Sequence, residues 1–482
     1  MSDNLKGKML GAVTWSTIDR FGQQAVQFVI GMVLARLLSP SDFGLMGMVA
    51  VFSALSFVLV ESGFGLALVR KKDANETDFN TVFYFNIGVS VFLYLVLFFT
   101  APLIAQYFNQ PLLTSLSRII FLSILFNAFY LIPFIKLGIL LDFKTIAKVN
   151  LISTGVSGAV GMLLAYMGWG VWALVCQQVG YHLLRMISFY LFVKWKPRLL
   201  FSLSVIKNLW KFSINILGTS VLNVLFNNLF VFLIGKYYST KQTGYYSQSN
   251  KLSETFNFSF QAILVGSTYN LFTQIQHDDE RFRRIFREIA NKVSVVTFPV
   301  MISLIAMAKP LIFTLLGDKW LPSEHYFQLL CLASLFGPLY TLNINALNAR
   351  GESRNTLIIE IIKKSLTIAV VILSFQYGIE TMLCGYAAAN FIAYAFSAFY
   401  LKKNLTHYLK HQLEDFIKSM LIGIAIAVVV FLLSKVVDNF YVLFALQSIV
   451  AVVIYLSILK KMQPALFENG IKLVMEQIKK FV

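Results

Sequence analysis

Charge is scarce in this sequence. Only 13% of its 482 residues are Asp, Glu, Lys or Arg, where soluble domains carry about 25%. Too few charges remain to cover a water-facing surface of this size, which excludes an ordinary soluble enzyme. Cysteine is scarcer still: Cys176, Cys331 and Cys384 each lie in an apolar run, so neither a disulfide framework nor a zinc cage fits. Catalytic signatures are missing too. There is no Walker-type lysine loop, and His182, His277, His325, His407 and His411 lack metal-ligand spacing. Gly168-Trp169-Gly170 reads as a turn. The amino terminus lacks a compact apolar stretch ending in a small-residue cleavage site, so a retained first helix is expected rather than a signal peptide. The expectation is a protein that is no enzyme and needs no cofactor.

What is abundant is apolar residues, 57% of the chain, at a mean hydropathy of +0.71. With about 20 residues needed per bilayer crossing, the sequence predicts an all-α polytopic membrane protein. Splitting at charges and turn residues gives about 14 transmembrane spans: 11–35, 43–68, 80–105, 113–137, 146–167, 170–193, 210–235, 245–273, 289–316, 325–349, 355–376, 379–401, 416–434 and 439–459. The loops test this count. With the amino terminus inside, about 29 of the 41 Lys and Arg fall on the cytoplasmic side and about 6 on the other, as the positive-inside rule requires. Both termini are then cytoplasmic. The net charge of +18 records topology plus attraction to anionic lipid headgroups, and no nucleic-acid partner is needed. The tail after Lys460 alternates apolar and basic residues and reads as an amphipathic surface helix.

Ala35-Arg-Leu-Leu-Ser-Pro-Ser-Asp-Phe-Gly44 and Gly235-Lys-Tyr-Tyr-Ser-Thr-Lys-Gln-Thr-Gly244 match at an offset of 200 residues, pairing Arg36 with Lys236, Ser39 with Ser239 and Gly44 with Gly244. An even number of helices separates them, so the copies run parallel, related by an axis along the membrane normal. The expected organisation is an N-terminal six-helix lobe over 1–205, a second over 206–405, two additional transmembrane helices over 406–460 and a cytoplasmic tail over 461–482. Small residues and a cation also recur at unrelated helix hairpins, an alternative the sequence leaves open. Two parallel lobes are a transporter architecture, with the substrate path at their interface.

An ionisable residue at membrane depth costs at least a few kcal/mol unless paired or wetted, so each is a candidate functional residue. The cations are Arg20, Arg118, Arg185, Lys251, Lys363 and Lys364; the acids are Asp19, Glu61, Glu254 and Glu360. Arg20 and Glu61 enter their spans at similar depth and are expected to pair. Lys251 and Glu254, three apart on one helix face, are placed to neutralise each other. Arg118 lies near a span end and can snorkel. The excess of cations suits an anionic substrate; Arg20, Arg118, Arg185, Lys251 and Lys363 are the candidate substrate-binding residues, and Asp19, Glu61 and Glu254 the candidate cavity acids or ion-coupling residues. Tyr245, Tyr246, Gln248, Asn250, Asn257 and Tyr269 suit a hydrated substrate such as a carbohydrate.

Leu34-Ala-Arg-Leu-Leu-Ser-Pro-Ser-Asp-Phe-Gly44, Gly63-Phe-Gly-Leu-Ala-Leu-Val-Arg70, Gly168-Trp-Gly-Val-Trp-Ala-Leu174 and Gly317-Asp-Lys-Trp320 resemble the motifs of bacterial Wzx-type oligosaccharide flippases, in the branch that holds the colanic-acid exporter. The resemblance runs from about residue 6 to 400. It implies the fold of the multidrug/oligosaccharidyl-lipid/polysaccharide (MOP, MATE-like) exporters and a place in the bacterial inner membrane. It further implies flipping of an undecaprenyl-pyrophosphate-linked oligosaccharide for O-antigen, capsule or exopolysaccharide synthesis, by alternating access coupled to H+ or Na+. A polysaccharide polymerase and a chain-length regulator are the implied partners, besides membrane lipids. The other readings are a cation-coupled small-molecule exporter, which predicts an acidic pocket, and a non-transporting scaffold of a polysaccharide assembly complex.

Overall fold

A computed structural model describes residues 2–61, 63–71, 73–260, 268–404, 408–462, 464, 467 and 468. Among them no strand occurs. In order the helices are α1 (Ser2–Leu37), α2 (Pro40–Glu61), α3 (Phe64–Arg70), α4 (Glu76–Tyr107), α5 (Leu113–Ile120), α6 (Leu122–Ile139), α7 (Phe143–Tyr166) and α8 (Val171–Phe192). An irregular linker leads to α9 (Leu203–Tyr237), α10 (Thr240–Phe260), α11 (Thr268–Gln274), α12 (Asp279–Ala306), α13 (Ala308–Leu316), α14 (Glu324–Ser334), α15 (Gly337–Ala349), α16 (Ser353–Ser374), α17 (Ile379–Asn404), α18 (Tyr408–Leu433) and α19 (Phe440–Met462). The amphipathic helix expected in the tail lies outside the described residues.

Among the described residues every expected span falls on one helix or on consecutive helices, residues 261–267 of the span 245–273 lying outside them, and ten segments are long and apolar enough to cross a membrane. The spans that fall short rest on α1, α8, α10 and α16. These helices carry Asp19 and Arg20, His182 and Arg185, Lys251 and Glu254, and Glu360, Lys363 and Lys364. Their low hydropathy comes from these ionisable residues together with uncharged polar ones, above all the Ser, Thr, Asn and Gln of α10. On these helices and on others, apolar side chains face outward: Phe99 of α4, Leu191 of α8 and Leu373 of α16 are 71%, 77% and 73% exposed. Such faces are unfavourable in water and at home against lipid tails.

By contact the chain divides into two compact units, 1–247 and 248–482. The first keeps α9, although the sequence repeat starts its second copy near residue 206, because α9 packs along α2 and α3. The repeat itself is visible in the elbows. At the α1–α2 turn, Ser39 Oγ donates to Asp42 Oδ2 (2.7 Å) and accepts from the Asp42 amide (3.3 Å). At the α9–α10 turn, Ser239 Oγ donates to Gln242 Oε1 (3.2 Å) and accepts from the Gln242 amide (3.1 Å). Both are capping boxes that satisfy orphan donors of a helix start, and they lie 200 residues apart. The elbows also touch. A Cβ on Gly44 would overlap the Thr240 carbonyl, and one on Gly244 would overlap that of Pro40. Only glycine allows this approach, and it allows it twice, reciprocally.

A second recurrence pairs a cation with a carboxylate at a helix start within each unit. In the first unit Lys136, near the end of α6, bonds Glu76 at the first position of α4 and lies 4.6 Å over the Phe79 ring. In the second, Arg350 at the end of α15 bonds Asp279 at the first position of α12 and lies 4.5 Å over Phe282. Acid and ring recur three residues apart in each copy. The linker docks on the first of these corners: Trp195 Nε1 donates to Glu76 Oε2 (3.0 Å), the Arg198 amide to Asn80 Oδ1 (2.6 Å) and the Ser202 amide to Thr81 Oγ1 (3.1 Å).

Candidate functional site

In the first unit, polar side chains from four helices meet at membrane depth. Tyr130 of α6 is the hub. Asn127 Nδ2 and Arg185 Nη1 both donate to its hydroxyl oxygen, each at 3.1 Å. A phenolic oxygen has two acceptor positions and one proton, so both positions are filled and the proton is left to donate to His182 Nδ1, also at 3.1 Å. His182 is then the neutral tautomer protonated at Nε2. Its ring stacks on Phe57 with centroids 4.9 Å apart.

Arg185 is positioned by aromatic faces as well as by this bond. Its guanidinium lies 4.5 Å over the Tyr130 ring, with Phe134 and Phe189 at 5.3 and 5.7 Å. Such stacking holds a desolvated cation without neutralising it. The buried Nε of Arg185 has no hydrogen-bond partner, and neither do Oδ1 of Asn127 or Oδ1 of Asn150. Neither Asp19 nor Glu61 bonds Arg185 among the described residues. Among the described residues no ion pair involves Arg185. A guanidinium with a free N–H and no bonded carboxylate keeps hydrogen-bonding capacity unused.

Asp19 of α1 is satisfied by other means. It accepts from Asn150 Nδ2 of α7 at 3.1 Å on each oxygen, and from Gln23 at 2.8 Å. The expected Arg20–Glu61 pair is not formed: Arg20 is exposed and points away from this network, because neighbours in a helix sequence diverge by about 100°. Glu61 instead lines a cavity of about 280 Å³ with Val58, Leu66, Leu131, Phe134 and Ile216, between α2, α3, α6 and α9. Arg118 lies 4.3 Å over the Phe98 ring and donates to the Phe98 carbonyl, on the α4–α5 side.

In the second unit, Tyr340 donates to Glu360 Oε1 at 2.6 Å and Lys363 Nζ lies 4.3 Å over the Tyr340 ring. Lys251 and Glu254 of α10 are both exposed. Glu254 accepts from Asn250 at 2.9 Å, and among the described residues it makes no ion pair with Lys251, so the expected neutralisation does not occur. The structure thus gathers Arg185, Asp19 and Glu61 into one unit of polar chemistry and sets Lys363 in a second aromatic corner. Arg20, Arg118 and Lys251 stand apart from these. Tyr130, Asn127 and Asn150 were missed in the sequence. The readable signal was His182 and Arg185, three apart on one face of an apolar helix, which demand polar partners from the helices opposite.

A helical chain with ten segments able to cross a membrane, among the described residues, is a multi-pass membrane protein. Residues 33–325 match the family model described as "Polysaccharide biosynthesis protein", and the chain belongs to that family. It is 27% identical over 67% of its length to the succinoglycan biosynthesis transport protein ExoT of Rhizobium meliloti (strain 1021), of which the match spans 65%. It is 24% identical to the lipopolysaccharide biosynthesis protein WzxC of Escherichia coli (strain K12), over 69% of this chain and 68% of that one. In fold it is similar to lipid II flippase MurJ in its inward closed conformation, with a TM-score of 0.74 at 14% identity over 94% of this chain and 99% of that one. An inward-facing MATE-family multidrug transporter of the MOP superfamily gives 0.59 at 13% identity, over 83% and 99%.

Proposed function

We propose that this protein flips an undecaprenyl-pyrophosphate-linked oligosaccharide from the inner to the outer leaflet of the bacterial inner membrane, by alternating access, for surface polysaccharide synthesis. Its termini are cytoplasmic, as the loop charges require, and no catalytic step is assigned to it. The observation that carries the reading is Arg185: a stacked guanidinium at membrane depth with an unused N–H, in a chain of a polysaccharide biosynthesis family. A pyrophosphate offers the oxygens that such a donor lacks. A small-molecule cation exporter would place a carboxylate, not a guanidinium, at the centre of the network.

Lipid extraction from a deletion strain tests this. Lipid-linked repeats are expected to accumulate, to be cleared by the wild-type gene and not by Arg185→Ala. A strain that accumulates none, as for a scaffold protein, overturns the reading.

A further inference from the structure

No Asp or Glu occurs between Asp142 and Glu254, and the linker that joins α8 to α9 lies within that stretch. It carries Lys194, Lys196 and Arg198 in alternate positions, and burial alternates with them. The three cations are exposed, while Val193, Trp195 and Pro197 are half-buried. A period of two belongs to extended backbone, and Val193 and Ser202, at the two ends of the linker, are both in the extended region. Trp195 on Glu76, and the amides of Arg198 and Ser202 on Asn80 and Thr81, hold the linker down. Three like charges are thereby fixed along one edge. The acids of α4 beneath are already used, Glu76 by Lys136 and Asp78 by Lys71. Among the described residues none of the three cations pairs with a carboxylate.

Directly after the cations come apolar side chains with little protein cover: Leu199 is 93% exposed, Leu203 66% and Phe201 54%. Leu191 and Phe192, which end α8 just before the cations, are exposed as well, and Trp210, two turns into α9, is half-exposed. Tryptophan gathers at the headgroup layer of a bilayer, where its ring is part apolar and part wet. Cations beside uncovered leucine and phenylalanine are what an interfacial segment presents, with the apolar side chains in the acyl boundary and the cations at the phosphates. A soluble acidic protein would satisfy the cations and leave Leu191, Phe192 and Leu199 bare. Lipid satisfies both.

We propose that Lys194, Lys196 and Arg198, with Leu199 and Phe201, form a binding site for an anionic phospholipid. Its phosphate lies on the row of cations and its acyl chains lie against the exposed apolar side chains. A zwitterionic lipid brings its own cation to the phosphate and gains little from the row. Because the linker is pinned to α4, the charges are already gathered before lipid arrives, which lowers the cost of binding.

The test uses the full-length protein in liposomes of phosphatidylcholine and phosphatidylglycerol, with a photoreactive group next to the glycerol of one lipid or the other. Crosslinks are located by peptide mapping, so that the linker is read apart from the rest of the protein. Residues 199–203 should be labelled at least about fivefold more by the phosphatidylglycerol probe than by the phosphatidylcholine probe, the preference that one cation at a membrane surface gives. Lys194→Gln, Lys196→Gln and Arg198→Gln should each lower that ratio, and the triple variant should bring the probes level, as should high salt. Arg281→Gln, Arg283→Gln and Arg284→Gln together remove the same charge from α12 and should leave the ratio unchanged. Equal labelling of the wild-type protein by both probes overturns the proposal, as does a preference that survives loss of all three linker cations. A linker that crosslinks to neither lipid overturns it too, and gives this surface to a soluble acidic partner. Lipid contact is read without transport, so the outcome is separate from that of the function proposed above.

Discussion

Gly44 and Gly244 are packed so closely that neither can carry a side chain: the Cβ of one would meet the Thr240 carbonyl, that of the other the Pro40 carbonyl. The relation is reciprocal at a fixed offset of 200 residues, and the flanking capping boxes repeat it. The two elbows are copies of one motif meeting face to face.

Substituting either glycine is expected to force the elbows apart. Overpacking a tight contact costs about 1–3 kcal/mol. Gly44→Val and Gly244→Val should each lower the thermal unfolding midpoint in detergent and depress transport. Gly138→Ala, where an added Cβ meets nothing within 4 Å, should leave the midpoint in place. Equal midpoints for all three would refute the close packing.

Removing the Tyr130 hydroxyl strands three groups at once: Asn127 Nδ2, Arg185 Nη1 and His182 Nδ1. Each buried group left unpaired costs about 1–3 kcal/mol. Tyr130→Phe should therefore destabilise the protein by more than a single lost hydrogen bond, and Asn127→Leu in the same background should recover part of the loss. Additive losses in unfolding measurements would contradict a shared hub.

Arg185→Lys keeps the charge and discards the planar fork that both stacks on Tyr130 and bonds its hydroxyl. Complementation of a deletion strain should fall well below wild type, to near the level of Arg185→Ala. Full complementation by lysine would mean that charge alone suffices.

Lys136 with Glu76, and Arg350 with Asp279, should each show coupling in double-mutant cycles, of about 0.5–1 kcal/mol for partly exposed pairs. The phenylalanines beneath them add to it, so Phe79→Leu and Phe282→Leu should weaken the coupling in their own corner. A corner whose ion pair is insensitive to its ring would contradict the cation–aromatic geometry.

The span pattern was legible because hydropathy sets it: charges and turn residues mark the loops, and each expected segment found its helix. Breaks inside spans were not, since the α2–α3 interruption depends on Gly63 taking φ 70° beneath the Ser213 carbonyl, a contact 150 residues away. Residue type and depth also marked Arg185 and Asp19. Their partners were hidden, because Tyr130 and Asn150 are ordinary residues in apolar helices until α6, α7, α8 and α1 bring them together. Pairing Arg20 with Glu61 by depth failed for a related reason. Depth gives height along a helix and says nothing of azimuth.

The linker's docking on α4 has a practical consequence. Trp195, Arg198 and Ser202 anchor it over its length, so severing the polypeptide just beyond Ser202 leaves the upstream end seated. The protein should tolerate being encoded as two separate genes divided at this seam, with the halves finding each other in the bilayer, so that one chain works as a pair of subunits.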